Sequence, residues 1–140
     1  PDVAAMVTVD NGTTAPGQNS SEFGVTIAMA DQTGPFDWHL TRKLLHLARE
    51  HEIPHQKDVF RYYRSDSASA LASGADIRTA LVTFGIDASH GYERIHQSAL
   101  EDLTRLLIAY AESEVEIDRD AKPISGVKGF THQPIDDERG

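Results

Sequence analysis

The stretch of sequence that decides the fold is residues 36–49, FDWHLTRKLLHLAR. Its apolar side chains recur every three or four residues, which is the spacing that forms one face of an amphipathic helix. The basic side chains fall on the other side. Pro35 suits the first turn of this helix, and Pro54 suits a position beyond its end. We therefore predict a helix whose buried face consists of Phe36, Leu40, Leu44, Leu47 and Ala48.

Two segments ahead of this helix predict strands. Residues 4–9 are short and rich in Val and Ala, and they predict a buried strand that ends in a turn at Asp10-Asn11-Gly12. Asp10 is thereby expected at the end of a strand. Residues 23–29 alternate large apolar side chains with small or polar ones, a pattern typical of a second strand.

Strand and helix patterns alternate after the first helix. Residues 56–63 and 79–84 carry side chains that favour strands. Residues 65–73 are small and rich in Ala, and they predict a short helix that stops at Gly74. The last helix is expected to begin at Ser98, whose hydroxyl suits a cap. This alternation predicts an α/β layered fold.

Length and charge restrict the class of protein. A chain of 140 residues is about one domain. We predict a packed part over residues 1–113 and a polar, flexible tail over residues 114–140. The net charge of −9 argues against binding to nucleic acid or to an anionic membrane, and no apolar run approaches the roughly 18 residues of a membrane span. Because the chain opens on Pro1 and enters an apolar run almost at once, we expect it to be part of a longer protein.

The absence of cysteine restricts any metal site to histidine and carboxylate ligands. Most of the seven histidines lie on the polar side of the first helix, at its exit or in the tail. His90 lies in a loop just ahead of His96 and is a weaker candidate for a site role. We expect ordinary surface roles for His39, His46, His51, His55 and His132.

Asp10 and His96 occupy positions where functional residues are often found. Ligands of open α/β sheets bind outside the carboxyl ends of strands, where Asp10 is expected, and His96 immediately precedes a helix. The residues alone also allow simpler roles. Asp10 would then bond to the backbone of its own turn, and His96 would be a side chain at the entry of a helix.

Five segments stand out when they are considered together: VTVD (7–10), TGPF (33–36), LAREHEIPHQ (47–56), SDSA (65–68) and YERIHQS (92–98). Their order and spacing resemble the carboxyl-terminal part of the catalytic domain of the tetrahedral aminopeptidases. This family of dinuclear metallopeptidases includes the glutamyl and deblocking aminopeptidases. The resemblance covers about residues 3–112 and depends on the segments as a set.

The resemblance implies both a fold and a site. The fold would be part of a three-layer α/β/α metallopeptidase catalytic domain with a mixed sheet. Asp10 would be a terminal ligand of one divalent metal ion and His96 of the other, with Zn²⁺ or Co²⁺ as the metals. Asp66 would line the substrate pocket, although Arg64-Ser65-Asp66-Ser67 replaces the family's usual Gly-Thr-Asp-Ala. The general-base Glu and the other ligands would lie upstream of Asp10, so no catalytic residue is expected in this chain and the chain alone is expected to be inactive.

Three functions remain open at this point. The first is a metal-dependent aminopeptidase, the second is a related metal-dependent amidohydrolase or deacylase, and the third is a non-catalytic assembly module. Activity on amino-acid amides against N-acylated substrates would separate the first two. We expect a cytoplasmic enzyme that acts on peptides, without a nucleic-acid or membrane partner, and the resemblance implies a homo-oligomer.

Overall fold

The computed structural model describes residues 3–115, which fold around one mixed sheet. Within those residues the strands are β1 (Ala5–Thr13), β2 (Val25–Asp31), β3 (Gly34–Pro35), β4 (His55–Val59) and β5 (Arg78–Ile86). The helices are α1 (Trp38–Glu50), α2 (Asp66–Ala72) and α3 (Gln97–Glu112). The prediction of an α/β fold with a mixed sheet is confirmed.

The sheet combines parallel and antiparallel pairs. β1 pairs with β5 in parallel, and β5 pairs with β2 in antiparallel orientation. On β2, the short β3 pairs antiparallel and β4 pairs parallel. Since β1 and β5 run in the same direction, their carboxyl ends lie at the same edge of the sheet. The amino end of β2 lies at that edge as well, because Val25 is opposite Phe84.

The main core lies between one face of the sheet and two of the helices. Leu40 and Leu44 of α1 and Leu106 of α3 are almost fully buried against Ile27 and Val82. The predicted face is confirmed for Leu40, Leu44, Leu47 and Ala48. Phe36 differs, because it lies ahead of α1 and packs in a separate apolar cluster. Each such side chain contributes roughly 1.5–3 kcal/mol by removal from water.

The opposite face of the sheet carries a smaller apolar cluster. Ala28 and Leu81 lie opposite each other one residue away from Ile27 and Val82, so their side chains point to the other face. They pack with Phe36 and Phe60. The helix α2 contacts β1 and β5. The even-numbered residues of β1 share this second face, because Thr8 is opposite Leu81.

The strand that contains Asp10 is longer than predicted. β1 continues through Asp10-Asn11-Gly12 to Thr13, so these residues do not form a turn. Pairing with β5 provides the reason, since Asp10 lies opposite Thr83 and Thr13 opposite Ile86. β1 is also more exposed than predicted, because β5 is its only strand partner among residues 3–115.

Three element boundaries also differ from the prediction. Pro35 ends β3, and α1 begins at Trp38 after Asp37, whose carboxylate accepts the Leu40 N–H at 2.8 Å. β4 ends at Val59 instead of residue 63. The cap of α3 is His96 instead of Ser98. In each case a side-chain or cross-strand bond sets the boundary, and local propensity does not report such bonds.

The short helix α2 follows its prediction closely. Ser65 caps it with an extended backbone, and the helix ends at Ala72, before Gly74 with a φ of +90°. Residues 116–140 lie outside the part of the chain that the structure describes, so the predicted tail stays a prediction for them. None of the helices within residues 3–115 has both the length and the apolar character to cross a membrane.

Candidate functional site

A cavity of about 160 Å³ lies over the second face of the sheet, between the carboxyl-terminal part of β1 and the carboxyl end of β2. Side chains from β1, from the end of β2, from the segment between β4 and α2, and from the loop after β5 meet there. The lining residues are Asp10, Asn11, Thr13, Asp31, Phe60, Tyr63, Arg64, Ser65, Leu81, Ser89 and His90. Ligands of open α/β sheets bind at this kind of place.

Asp10 lines this cavity and is exposed. Its Oδ1 atom accepts the N–H of Asn11 at 2.7 Å. This is the backbone bond that the simpler interpretation of Asp10 required, but it forms within a strand. An exposed carboxylate at the mouth of a cavity also suits a terminal metal ligand, so the structure is compatible with both roles.

Gly12 allows the chain to approach closely beneath the cavity. A Cβ atom at this position would lie 2.5 Å from Thr83 Oγ1 and 2.9 Å from the ring of Phe60. Thr83 Oγ1 is buried and has no hydrogen-bond partner among the described residues. The floor of the cavity near Asp10 is therefore closely packed and allows no larger side chain at Gly12.

Asp31 is a buried carboxylate that sequence reasoning did not select. It is 6% exposed, and its oxygens accept hydrogen bonds from Thr33 and Ser65. Burial raises the pKa of Asp31, but the hydrogen bonds from Thr33 and Ser65 outweigh it and hold the pKa below its ordinary value. Asp31 is therefore ionised at neutral pH. In the sequence, its only local signal is a position just beyond the predicted strand at residues 23–29.

The predicted substrate residue Asp66 is the first residue of α2 and is exposed. Its neighbours Arg64 and Ser65 line the cavity, whereas Asp66 is absent from that lining. The Arg64 guanidinium donates from Nη2 to the Ala68 carbonyl at 3.4 Å. A substrate role for Asp66 stays a prediction, and the structure places its immediate neighbours closer to the cavity.

His96 lies at the start of α3, and its imidazole caps the helix. Nδ1 lies 3.2 Å from the Ser98 amide nitrogen, which donates to it, and 2.7 Å from Ser98 Oγ. The ring packs against Phe23, with 4.6 Å between ring centroids. Because Nδ1 faces Ser98, Nε2 is the nitrogen that this orientation offers to a metal ion. The second nitrogen of a metal-bound histidine commonly donates its N–H, and Ser98 Oγ is placed to accept such a bond from Nδ1.

An ionic cluster anchors the loop that leads to His96. Arg94 Nη2 contacts Glu22 at 2.9 Å and Asp87 at 2.6 Å. Hydrogen bonding between the two carboxyls raises the pKa of Asp87 and, together with the bond from Arg94, lowers the pKa of Glu22. These groups lie at the surface and add little stability. They do connect the residues ahead of β2 with the residues after β5.

His90 lines the same cavity as Asp10, which the sequence had suggested only weakly. Its backbone is left-handed, with a φ of 63°, and its N–H donates to Glu93 Oε1 at 2.9 Å. Non-glycine residues seldom adopt this conformation, and they often do so near functional sites. His90 is therefore the histidine that the structure places beside Asp10 in the cavity lining.

The remaining histidines are placed on other parts of the fold. His46 is exposed and lies 3.7 Å from Glu50 on α1. His51 is exposed and donates its N–H to the last turn of α1, and His55 contacts the Ile53 carbonyl at 2.8 Å. His39 is half-buried on α1. His132 lies outside the described residues.

Asp10 and His96 lie toward the same end of the sheet, on different elements. Asp10 is three residues from the end of β1, and His96 follows the loop after β5. Carboxylate and imidazole are ligand types that Zn²⁺ and Co²⁺ accept. Within residues 3–115, however, no group of three or more histidines and carboxylates is placed to hold a metal ion. His96 is absent from the lining of the cavity that contains Asp10, and the assignment of the two residues as terminal metal ligands stays a prediction.

A curated relative spans far more sequence than this chain. YhfE of Bacillus subtilis (strain 168), which carries the name of an aminopeptidase, is 39% identical over 113 residues. That match covers 81% of this chain and 33% of the relative. The chain therefore spans about a third of the length of the relative.

Solved structures of tetrahedral aminopeptidases share the fold. The TET aminopeptidase from Thaumarchaeota archaeon SCGC AB-539-E09 matches with a TM-score of 0.64 at 19% identity, over 79% of this chain and 33% of that one. The TET1 peptidase of Pyrococcus horikoshii, which can assemble into a tetrahedron or a large octahedral shell, matches with a TM-score of 0.68 at 20% identity, over 77% and 33%.

The family itself is shown by sequence. The model of the M42 glutamyl aminopeptidases matches residues 1–106 of the 140. Five segments suggested the same group, and the mixed sheet agrees with it. On this evidence the chain belongs to the M42 glutamyl aminopeptidase family.

Proposed function

We propose that this chain supplies one wall of the active site of a metal-dependent aminopeptidase. The observation that carries the proposal is the position of Asp10, which lines a cavity near the carboxyl end of β1 in a chain of a peptidase family. In this proposal Asp10 and His96 are terminal ligands, one to each of two divalent ions, Zn²⁺ or Co²⁺. The substrate is a peptide with a free amino end.

The chemistry of the pair of ions defines what the chain has to provide. Divalent ions held by Asp10 and His96 would supply Lewis-acid chemistry, which activates a water and polarises a peptide carbonyl. Asp10 provides a carboxylate from a paired strand, which restricts its movement. His96 provides Nε2, because its Nδ1 faces Ser98 Oγ, to which an Nδ1 proton can be donated. The segment at Tyr63 and Arg64 forms the wall along which a peptide would lie.

Residues 3–115 supply only part of such a site. A zinc site normally needs three protein ligands, and residues 3–115 offer no group of that size. We propose that the general base and the remaining ligands lie in the part that corresponds to the other two thirds of the relatives. The 140-residue chain alone is then without peptidase activity. The shells formed by the Pyrococcus horikoshii peptidase support a homo-oligomer for the complete protein.

The test compares the 140-residue chain with the full-length protein. Both are assayed with added Zn²⁺ or Co²⁺ on leucine and glutamate anilides and on the N-acetylated forms of the same compounds. We expect turnover of the free anilides by the full-length protein only, and loss of this turnover with a chelator. Preference for the acetylated substrates would favour the deacylase instead. Absence of turnover on every substrate would favour an assembly module.

A further inference from the structure

Asp31 connects the end of β2 to the segment that forms one wall of the cavity. Its Oδ2 atom accepts the Ser65 N–H at 2.9 Å and the Ser65 hydroxyl at 2.8 Å. Its Oδ1 atom accepts the Thr33 N–H at 2.8 Å and the Thr33 hydroxyl at 2.5 Å. An ionised carboxylate only accepts hydrogen bonds, so the direction of all four bonds is fixed.

Ser65 connects Asp31 to the first turn of α2. Its hydroxyl oxygen accepts the Ala68 N–H at 3.4 Å as the cap of the helix, and it lies 2.9 Å from the buried Ser67 hydroxyl. A backbone bond adds a second attachment beside Asp31, since the Gln32 N–H donates to the Tyr63 carbonyl at 2.9 Å. The segment before α2 is thus attached to the end of β2 at two adjacent residues.

Beyond the buried Phe60, apolar packing does not hold this segment in place. Tyr62 is 85% exposed and Tyr63 is 45% exposed, and Arg64 is exposed as well. Yet Tyr63, Arg64 and Ser65 all line the cavity together with Asp10. Hydrogen bonds to the end of β2 therefore determine where this wall of the cavity lies.

We propose that Asp31 is a positioning residue, which holds Tyr63 and Arg64 against the cavity through Ser65. The substrate that meets this wall is the peptide of the proposed function, and the inference rests on that function only in this respect. The four hydrogen bonds engage both carboxylate oxygens of Asp31 with donors of the fold itself. Asp31 itself borders the cavity, and the role proposed for it is exerted through the segment.

Asp58 offers a matched control for this proposal. It is 7% exposed, and its Oδ2 atom accepts the Ser20 N–H and the Gln18 side-chain amide, each at 2.8 Å. It is therefore a second buried aspartate that anchors a loop through several bonds. Neither Gln18 nor Ser20 lines the cavity. Asp58→Asn disturbs an equivalent anchor away from the proposed site.

The first experiment measures amide hydrogen exchange and chemical shifts in the ¹⁵N-labelled 140-residue chain. In Asp31→Asn one neutral amide oxygen replaces a carboxylate that accepts from Thr33 and Ser65, so the hydrogen bonds to Ser65 either are lost or lose their charge and weaken. We expect the Ser65 and Gln32 amides to exchange about tenfold faster or more in Asp31→Asn, with shifted Tyr63 and Arg64 signals. Asp58→Asn should leave these signals unchanged. The same change in both variants would overturn the proposal.

Two milder variants keep the test decisive if Asp31→Asn does not fold. Ser65→Ala removes the hydroxyl but keeps the N–H bond, and it should accelerate exchange at Gln32 by a few-fold. Ser65→Thr keeps both donors and should restore the exchange rate and the Tyr63 signal. If Ser65→Ala changes neither the exchange rate at Gln32 nor the Tyr63 signal, Asp31 does not position the segment through Ser65.

The second experiment measures kinetics and bound metal in the full-length protein. Asp31→Asn should raise KM for a leucine anilide about tenfold, a change that corresponds to one lost hydrogen bond to a charged group, with kcat and bound metal nearly unchanged. Loss of metal in Asp31→Asn would mean that Asp31 belongs to the metal site, which contradicts the proposal. If the full-length protein has no peptidase activity, the proposed function fails, and the exchange data still decide the role of Asp31.

Discussion

The imidazole of His96 and the hydroxyl of Ser98 lie 2.7 Å apart at the first turn of α3, and this contact fixes which ring nitrogen faces away from the helix. For Nε2 to bind a metal ion, the proton has to be on Nδ1, where Ser98 Oγ is in place to accept it. The Ser98 N–H instead donates to an unprotonated Nδ1. A bound metal would therefore select the hydroxyl contact over the backbone contact.

The first prediction concerns the two proposed ligands. In the full-length protein, His96→Ala and Asp10→Ala should each remove about one metal ion per chain, because each residue is a terminal ligand outside the apolar core. Elemental analysis of the purified variants measures this directly. Circular dichroism should show an intact fold in both variants.

His46→Ala is the matched control for the histidine. His46 is exposed on α1 and faces Glu50 at 3.7 Å, away from the proposed site. Its removal should change neither metal content nor stability. If His46→Ala loses metal while His96→Ala keeps it, the family resemblance has pointed to the wrong histidine. Unchanged metal in both His96→Ala and Asp10→Ala would contradict both proposed roles.

Much of the fold could be predicted from local pattern, because burial and capping act over a few residues. Leu40 and Leu44 reveal their helix by spacing alone, and Ser65 and Gly74 mark the two ends of α2. The extension of β1 through Asp10 could not be predicted in this way. It depends on pairing with Thr83, which lies far away in the sequence.

The candidate site shows the same limit more clearly. Position in the fold and the family resemblance select Asp10 and His96 as site residues, whereas neither signal selects Asp31. Its decisive partner Ser65 is 34 residues away, and no spacing rule connects an aspartate after a strand with the cap of a later helix. His90 is only a weak candidate in the sequence for a similar reason. Its loop reaches the cavity because β5 pairs with β1, and this pairing is not visible in the local sequence.

The second prediction concerns the main core. Leu106→Ala in α3 should lower the free energy of unfolding by about 2–5 kcal/mol, through lost burial and the cavity left behind. Leu106 has no exposed surface and packs in the cluster between the helices and the sheet. Urea denaturation of the 140-residue chain measures this loss. Ile108→Ala, at a side chain that is 52% exposed on the same helix, should cost much less.

The third prediction concerns the dependence of stability on pH. Folding lowers the pKa of Asp31 below its ordinary value of 3.8, so its ionised form stabilises the native state above that value. This contribution is lost as the pH falls through the lower pKa of the folded state. Asp31→Asn should therefore be less stable than the unsubstituted chain at pH 7, by about 2 kcal/mol or more.

The difference in the free energy of unfolding between Asp31→Asn and the unsubstituted chain should narrow at acidic pH. Urea denaturation between pH 7 and pH 3 would show the gap closing below about pH 4, where the unfolded Asp31 takes up its proton. The Leu106→Ala variant is the control, because it removes no titratable group and its deficit should stay nearly constant. A gap for Asp31→Asn that is as constant as that of Leu106→Ala would show that the charge of Asp31 is not what stabilises the fold.

The fourth prediction concerns the contact between β5 and the chain ahead of β2. A Cβ atom on Gly85 would lie 1.9 Å from the Ser21 carbonyl oxygen, and backbone cannot move aside as a flexible side chain can. Gly85→Ala should therefore cost about 3 kcal/mol or more, since overpacking here forces a backbone shift. Gly91→Ala is the control, because a Cβ atom there meets nothing within 4 Å and its φ does not lie in the left-handed region. Equal unfolding midpoints in urea for the two variants would show that Ser21 does not pack against β5 as described.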